Sequence, residues 1–318
     1  MRARRLGRDG PEISLVGFGA WEAGGGSEWG SPPPDEQVVD AIRAGLDAGI
    51  SWIDTAEVYG DGRSEEVVGR AVNGRRDGVL LFSKVAPHPE GSGFRPEEIG
   101  GACRGSLKRL GAEHLDLYQL HWPDPGVPVE DSWGAMAELV DEGLVRWIGV
   151  SNFDRELIER CLAIRHVDSL QQEFSMLAIS DRDLIRWCGD TGVGVLSYGP
   201  LAYGLLTGSI GPDTTFEPSD LRSGDAQDEM WTAFFAPGKL ERGLAVVDAM
   251  RPIANELGVG LAQLALAWNH HQPGVTAAIA GSRNPDHVRH NAAAGDIDLS
   301  ADVLRRLEDA VALGPEFD

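Results

Sequence analysis

Eight short apolar runs alternate with amphipathic stretches along almost the whole chain, and this alternation constrains the fold more than any other feature. The runs are Leu15–Gly19, Ser51–Asp54, Val79–Lys84, Leu115–His121, Val145–Val150, Ser169–Gln172, Gly194–Tyr198 and Ala277–Ala280. Each is of strand length. The helix candidates are Asp35–Gly49, Ser64–Asn73, Pro96–Leu110, Ser132–Glu142, Arg155–Ile164, Asp181–Asp190, a pair within Gly243–His271, then Asp286–Ala294 and Ala301–Ala312. Eight strands with intervening helices in 318 residues predict an α/β chain of the (β/α)8 TIM barrel type. A doubly wound sheet is the competing reading. No Gly/Pro/Ser linker divides the sequence, so a single barrel domain over residues 1–318 is expected. Ahead of the first run, Gly10–Pro11 punctuates two short apolar pieces and predicts an N-terminal β-hairpin.

The doubly wound reading loses its best motif on inspection. Gly17–Phe18–Gly19–Ala20–Trp21–Glu22 begins like a dinucleotide fingerprint, but Glu22 takes the third glycine's place and no helix pattern follows. Strand ends are more informative. Asp54–Thr55–Ala56–Glu57–Val58–Tyr59–Gly60 follows a buried run, placing a carboxylate at a strand end and a phenol in the Gly-flanked turn beyond it. A phenol protonates a carbonyl oxygen only if something lowers its pKa from ~10. Lys84 ends the next run and His121 the one after. Catalytic residues of barrel enzymes come from these C-terminal ends, so Asp54, Tyr59, Lys84 and His121 are the candidate catalytic set. Lys84 is expected to pair with Asp54 and to stabilise the Tyr59 phenolate.

Composition excludes several functions. The formal net charge of -22 repels phosphate backbones and anionic lipid, so neither nucleic acid nor membrane is an expected partner. Cys103, Cys161 and Cys188 are far apart and read as packed small hydrophobes, as in a reducing cytoplasm. No run approaches the ~20 apolar residues of a membrane span, and the basic N-terminus leads to no signal-like apolar core. HExxH is absent, and His88–Pro89–Glu90 lacks the paired cysteines of a zinc deaminase. A metal-dependent barrel hydrolase would need clustered His and Asp ligands, of which only His121 and Asp54 are suitably placed. His270–His271 is expected to be a cation pair at a helix C-terminus.

Taken in order, these motifs resemble the aldo-keto reductase family over nearly the whole chain. The resemblance is carried by Gly17–Phe18–Gly19–Ala20–Trp21, the Asp54–Gly60 stretch, Lys84, Leu120–His121–Trp122–Pro123 and Gly149–Val150–Ser151–Asn152–Phe153. Leu196–Ser197–Tyr198–Gly199–Pro200–Leu201 and Ile279–Ala280–Gly281–Ser282–Arg283–Asn284–Pro285 extend it. It implies NADPH-dependent reduction of an aldehyde or ketone carbonyl, with Tyr59 as general acid, Lys84 and Asp54 tuning it, and His121 orienting the carbonyl. No metal is implied. The alternative is a regulatory or sensing subunit that binds NADPH with little turnover.

The resemblance also implies the NADP(H) contacts. Ser151, Asn152 and Gln171 match residues that hold the nicotinamide carboxamide, and Tyr198 matches the aromatic that stacks on its ring. Gly19, Ala20, Trp21 and Asp54 are further expected contacts, with Gly199, Pro200, Leu201, Tyr203 and Gly204 in the loop after the seventh run. Gly281, Ser282, Arg283 and His287 would surround the adenosine 2′-phosphate, and Asn291 the adenine. Arg283 opens a helix whose free N–H groups favour an anion. His287 and His290 stand where a longer amide, cation or carboxylate is common, and a neutral histidine contributes less charge. Ser151–Asn152 is alternatively a helix N-cap. Phe174 stands where many members carry Tyr, and a packing role is expected. The chain ends soon after its last helix, so substrate contacts are expected from Trp21, Trp122 and the Ser209–Lys239 loop with Phe216, Trp231, Phe234 and Phe235, the loop aromatics being alternatively a satellite core beneath the loop. A monomer or small homo-oligomer acting on a small-molecule carbonyl is the expected form.

Overall fold

The computed structural model describes residues 1–25, 32–217, 220–223, 233–236 and 238–315. A two-stranded antiparallel hairpin, β1 (Ala3–Arg5) and β2 (Glu12–Ser14), comes first. Eight parallel strands follow: β3 (Val16–Gly19), β4 (Trp52–Asp54), β5 (Leu80–Val85), β6 (Leu115–Leu120), β7 (Val145–Ser151), β8 (Ser169–Glu173), β9 (Gly194–Tyr198) and β10 (Val275–Ile279). They close into a barrel in which β10 pairs with both β9 and β3. The eight predicted runs all fall on barrel strands, so the barrel replaces the doubly wound alternative.

The helices described are α1 (Trp21–Gly24), α2 (Asp35–Asp47), α3 (Arg63–Val72), α4 (Pro96–Leu110), α5 (Val129–Asp141), α6 (Arg155–Leu162) and α7 (Arg182–Thr191). After the long loop come α8 (Lys239–Leu257), α9 (Leu261–His270), α10 (Pro285–Ala293) and α11 (Ala301–Val311). Their starts follow local chemistry. Asp154 caps α6 by accepting from Leu157 N at 2.8 Å, so Ser151 and Asn152 are not the cap and stay with the strand end. Ser300 caps α11 in the same way. Gly111 ends α4 in the left-handed region, where a Cβ is costly.

Two hydrophobic layers result. Between sheet and helices, Leu81 and Val85 pack with Ile99, Cys103 and Leu107 of α4. Inside the barrel, Trp52, Phe82, Leu117 and Leu196 form a second cluster with Leu6 and Ile13 of the hairpin segment. The hairpin is anchored at the N-terminal end of β9, where Arg8 N donates to Gly192 O at 2.8 Å. It therefore closes the bottom of the barrel and leaves the C-terminal mouth open for chemistry. Phe174 stacks on Trp268 with ring centroids 5.5 Å apart, a packing role. The three cysteines are buried and free, and burial pushes each thiol up to about 12.

The expected His270–His271 cation pair is not what forms. His270 is buried at the end of α9, its Nε2 is 3.1 Å from Ala294 O, and burial pushes its pKa down to about 4 from an ordinary 6.5. It is neutral at pH 7. Because the folded pKa lies below the unfolded one, the native state binds fewer protons across the window between them. Stability is complete above the unfolded value and is lost as pH falls toward the folded one. Between pH 7 and 5 the wild type should lose about 2 kcal/mol more than His270→Gln, read from urea unfolding at the two pH values. Glu173 and Asp168, which burial raises, act with the opposite sign but are common to both proteins, so the difference isolates His270. Equal losses in the two proteins would refute the assignment.

Candidate active site

The strand pleat aims the polar residues. Side chains two apart share a face. Trp52 and Phe82 point into the barrel, so Asp54 on β4 and Lys84 on β5 follow them inward at the C-terminal mouth. Leu117 on β6 points inward as well, which carries the alternation through Gln119 to His121 just beyond the strand. Leu196 does the same for Tyr198 on β9. The register sets Asp54 beside Phe82 and Lys84 beside Gln119.

Lys84 is the centre of the arrangement and is fully buried. Its ammonium donates to Asp54 Oδ1 at 2.6 Å, to Thr55 O at 3.0 Å and to Tyr59 OH at 3.2 Å. Burial lowers the Lys84 pKa, and the charge of Asp54 opposes that fall. The other Asp54 oxygen accepts from Gln171 Nε2 at 2.9 Å. Gln171 thereby fixes the carboxylate as well as facing the mouth. The Tyr59 ring meets His121 edge-on at 5.6 Å between centroids, and Trp21 lies at 6.2 Å. Burial, with Lys84 as the second cause, pushes the His121 pKa well below 6.5, so this imidazole is neutral. Its Nδ1 is buried without a hydrogen-bond partner among the described residues. Trp122 packs on His121 at 4.4 Å.

A second set of residues extends from this centre. Asn152 sits in the left-handed region at φ 60°, a conformation an asparagine tolerates better than most side chains. Its Nδ2 donates to His121 O at 3.1 Å and to Ser151 Oγ at 3.2 Å, and its Oδ1 accepts from Tyr198 OH at 2.8 Å. These bonds tie β6, β7 and β9 together around one face of the mouth. Beyond Tyr198, Gly199, Ala202, Tyr203 and Gly204 all take positive φ. Pro200 and Leu201 lie within this turn. Tyr203 packs edge-on to Trp21 at 6.4 Å and donates to Glu173 Oε1 at 2.9 Å. Burial pushes the Glu173 carboxyl up to about 7, against the Tyr203 hydrogen bond. On the other side Gly281 closes on Gly19, where a Cβ would come within 2.2 Å of Gly19 O. Only glycine permits β10 and β3 to lie so close at the mouth. Ala20 follows, its N–H bonded to Asp54 O at 2.8 Å.

The third set lies at the start of α10. A cavity of about 610 Å³ is lined by Glu22, Gln37, Arg222, Ser282, Arg283 and His287, among others. Ser282 Oγ lies 3.5 Å from His287 Nδ1 and accepts from Asn284 N at 3.1 Å. The helix itself offers less than its sequence suggests. Pro285 has no N–H, and Asp286 N is taken by Asn284 Oδ1 at 2.9 Å. Side-chain cations carry the positive character of this cavity. Asn291 is buried on α10.

Three residues of the site escaped the sequence reading. Glu173 and Arg222 carry no motif. Glu22 counted only as the residue that broke a glycine fingerprint. It lies 3.5 Å from Arg283, so that guanidinium already has a carboxylate beside it. In the long loop Phe234 is buried against Tyr203, and Phe216 packs with Phe235 beneath the Arg222 guanidinium. These three are packing residues, whereas Trp231 lies outside the described residues. Trp21 and Trp122 border the mouth beside Tyr59 and His121.

A closed barrel with a phenol, a buried ammonium and a neutral imidazole together at its mouth has the make-up of an oxidoreductase. The fit to a nicotinamide dinucleotide rests on the donor set: amides at one end, cations and a hydroxyl around a cavity at the other. The chain belongs to the aldo/keto reductase family, whose model matches residues 15–312. It is 36% identical to the aldo-keto reductase YhdN of Bacillus subtilis (strain 168), covering 97% of this chain and 95% of that protein. The glycerol dehydrogenase AKR11B4 of Gluconobacter oxydans superposes with a TM-score of 0.87 at 32% identity, over 99% of this chain and 97% of the other. An aldo-keto reductase from Klebsiella pneumoniae, solved with NADPH, superposes with a TM-score of 0.74 at 32% identity, over 100% and 98%.

Proposed function

We propose that this chain reduces small aldehydes or ketones to alcohols with NADPH, using Tyr59 as the proton donor. The observation that carries the reading is the position of Lys84 Nζ, 2.6 Å from Asp54 and 3.2 Å from Tyr59 OH. When bound, NADPH supplies the hydride. Everything else falls to the protein. Tyr59 gives its proton to the carbonyl oxygen, so negative charge does not accumulate there. Lys84 stabilises the phenolate that remains, and Asp54 holds the ammonium in place. Gln171 holds Asp54. His121, neutral, orients the carbonyl oxygen without adding a competing cation. Ser151, Asn152, Gln171 and Tyr198 would hold the nicotinamide, with Gly19, Ala20, Trp21, Gly199, Pro200, Leu201, Tyr203 and Gly204 around the rest of the dinucleotide. Gly281, Ser282, Arg283 and His287 would take the 2′-phosphate, and Asn291 the adenine.

One barrel over residues 1–318 accounts for the whole site. No helix among the described residues is long and apolar enough to cross a membrane, and the described residues hold no cluster suited to a metal. A cytoplasmic location and a monomer or small homo-oligomer without nucleic acid accord with the strong negative charge. The direct test is NADPH oxidation across aldehydes, ketones and sugars. Turnover on none of them, with NADPH still bound, would favour a regulatory subunit instead. The Arg283 assignment has its own test. Arg283→Met should raise the KM for NADPH about tenfold or more while kcat changes little, because a phosphate contact is lost and the reacting end is untouched. A drop in kcat with unchanged KM would place Arg283 elsewhere.

A further inference from the structure

The cavity at the start of α10 contains a charge of the wrong sign for a phosphate. Glu22, on α1, presents Oε2 3.5 Å from Arg283 Nε, and its side chain is 29% exposed. Among the described residues, the other charged groups facing it are Arg222, Asp220 and His287. Arg222 is paired with Asp220 at 2.6 Å, and among the described residues Arg283 is the cation at ion-pair distance from Glu22. Desolvation raises the Glu22 carboxyl above its ordinary range, and Arg283 opposes that rise more than Arg222 does. A protein carboxylate is thus already seated beside the guanidinium that a 2′-phosphate would need.

Carboxylates and phosphates make opposite demands on such a pocket. An acidic side chain accepts a hydrogen bond from a ribose 2′-hydroxyl, whereas an arginine accommodates a 2′-phosphate. With both present, the phosphate gains Arg283 but meets a like charge in a partly desolvated cavity. A dinucleotide with a free 2′-hydroxyl meets no such repulsion. We infer that Glu22 is a cofactor-discriminating residue that holds Arg283 back from the 2′-phosphate and lets the chain accept NAD(H) alongside NADP(H). The inference rests on the placement of the 2′-phosphate proposed above.

Binding measurements test it without catalysis. Isothermal titration at fixed ionic strength compares NADP+, NAD+, adenosine 2′,5′-bisphosphate and 5′-AMP on wild type, Glu22→Gln and Glu22→Ala. Wild type should bind NAD+ within about thirtyfold of NADP+, since Glu22 offsets the arginine's preference. Glu22→Gln should bind NADP+ and the bisphosphate about tenfold tighter or more, with NAD+ and 5′-AMP unchanged or weaker. Glu22→Ala should shift the ratio in the same direction. Ratios within twofold of wild type in the folded variants, or wild-type NAD+ binding far below the stated range, would overturn the Glu22 assignment alone. A wild type that binds neither dinucleotide would overturn the cofactor reading along with it.

Discussion

Tyr59→Phe is expected to lower kcat for carbonyl reduction by about 10² to 10⁴, while NADPH binding stays within a few-fold of wild type. The substitution removes one oxygen and keeps the ring, so the contacts of Tyr59 with Trp21 and His121 remain. The proton source is lost. Without it, charge builds on the carbonyl oxygen and the transition state loses its main stabilisation. Neighbouring groups are poor substitutes. His121 is held neutral by burial and by Lys84, and the Lys84 ammonium is already committed to Asp54 and Thr55. Steady-state NADPH oxidation together with fluorescence titration of NADPH separates the two quantities. Turnover within threefold of wild type would remove Tyr59 from the mechanism.

The second large effect concerns stability and activity together. Lys84→Met leaves Asp54, only 4% exposed, as a buried carboxylate whose remaining described side-chain partner is Gln171. Breaking one side of a buried pair costs about 3–5 kcal/mol, and the same change removes the cation beside Tyr59. Urea unfolding should show the stability loss, and kcat should fall about a hundredfold or more. The double variant Asp54→Asn with Lys84→Met separates the two consequences. It replaces the ion pair with neutral groups of similar volume, so most of the stability should return. Activity should not return, because the ammonium is still missing. Recovery of both together would mean that the pair acts only by holding the barrel mouth in shape.

How much of this was legible in the sequence follows from where each signal resides. Strand and helix positions were readable because burial imposes its period on every element. Asp54, Lys84 and His121 were readable because polar residues at the ends of apolar runs are conspicuous. The hydrogen bond from Gln171 to Asp54 was not, since these residues lie 117 positions apart and meet only when the barrel closes. The capping of α6 by Asp154 removed only the alternative in which Ser151–Asn152 cap that helix, because which side chain reaches a free helical N–H depends on the local backbone path. His270 failed as a cation because the end of α9 is buried, and burial outweighs a favourable helix terminus.

Glu22 shows the same division most clearly. In the linear chain it is a carboxylate following a tryptophan, 261 residues from Arg283, and nothing local connects them. Barrel closure brings β10 beside β3, and the segments beyond those two strands then share one cavity. By itself the sequence determined the eightfold strand–helix repeat and the inward polar residues at strand ends, because pleating and burial act over a few residues. Only the tertiary structure decided which charges face one another. That depends on the register of strands distant in sequence, and electrostatics acts through space, not along the chain.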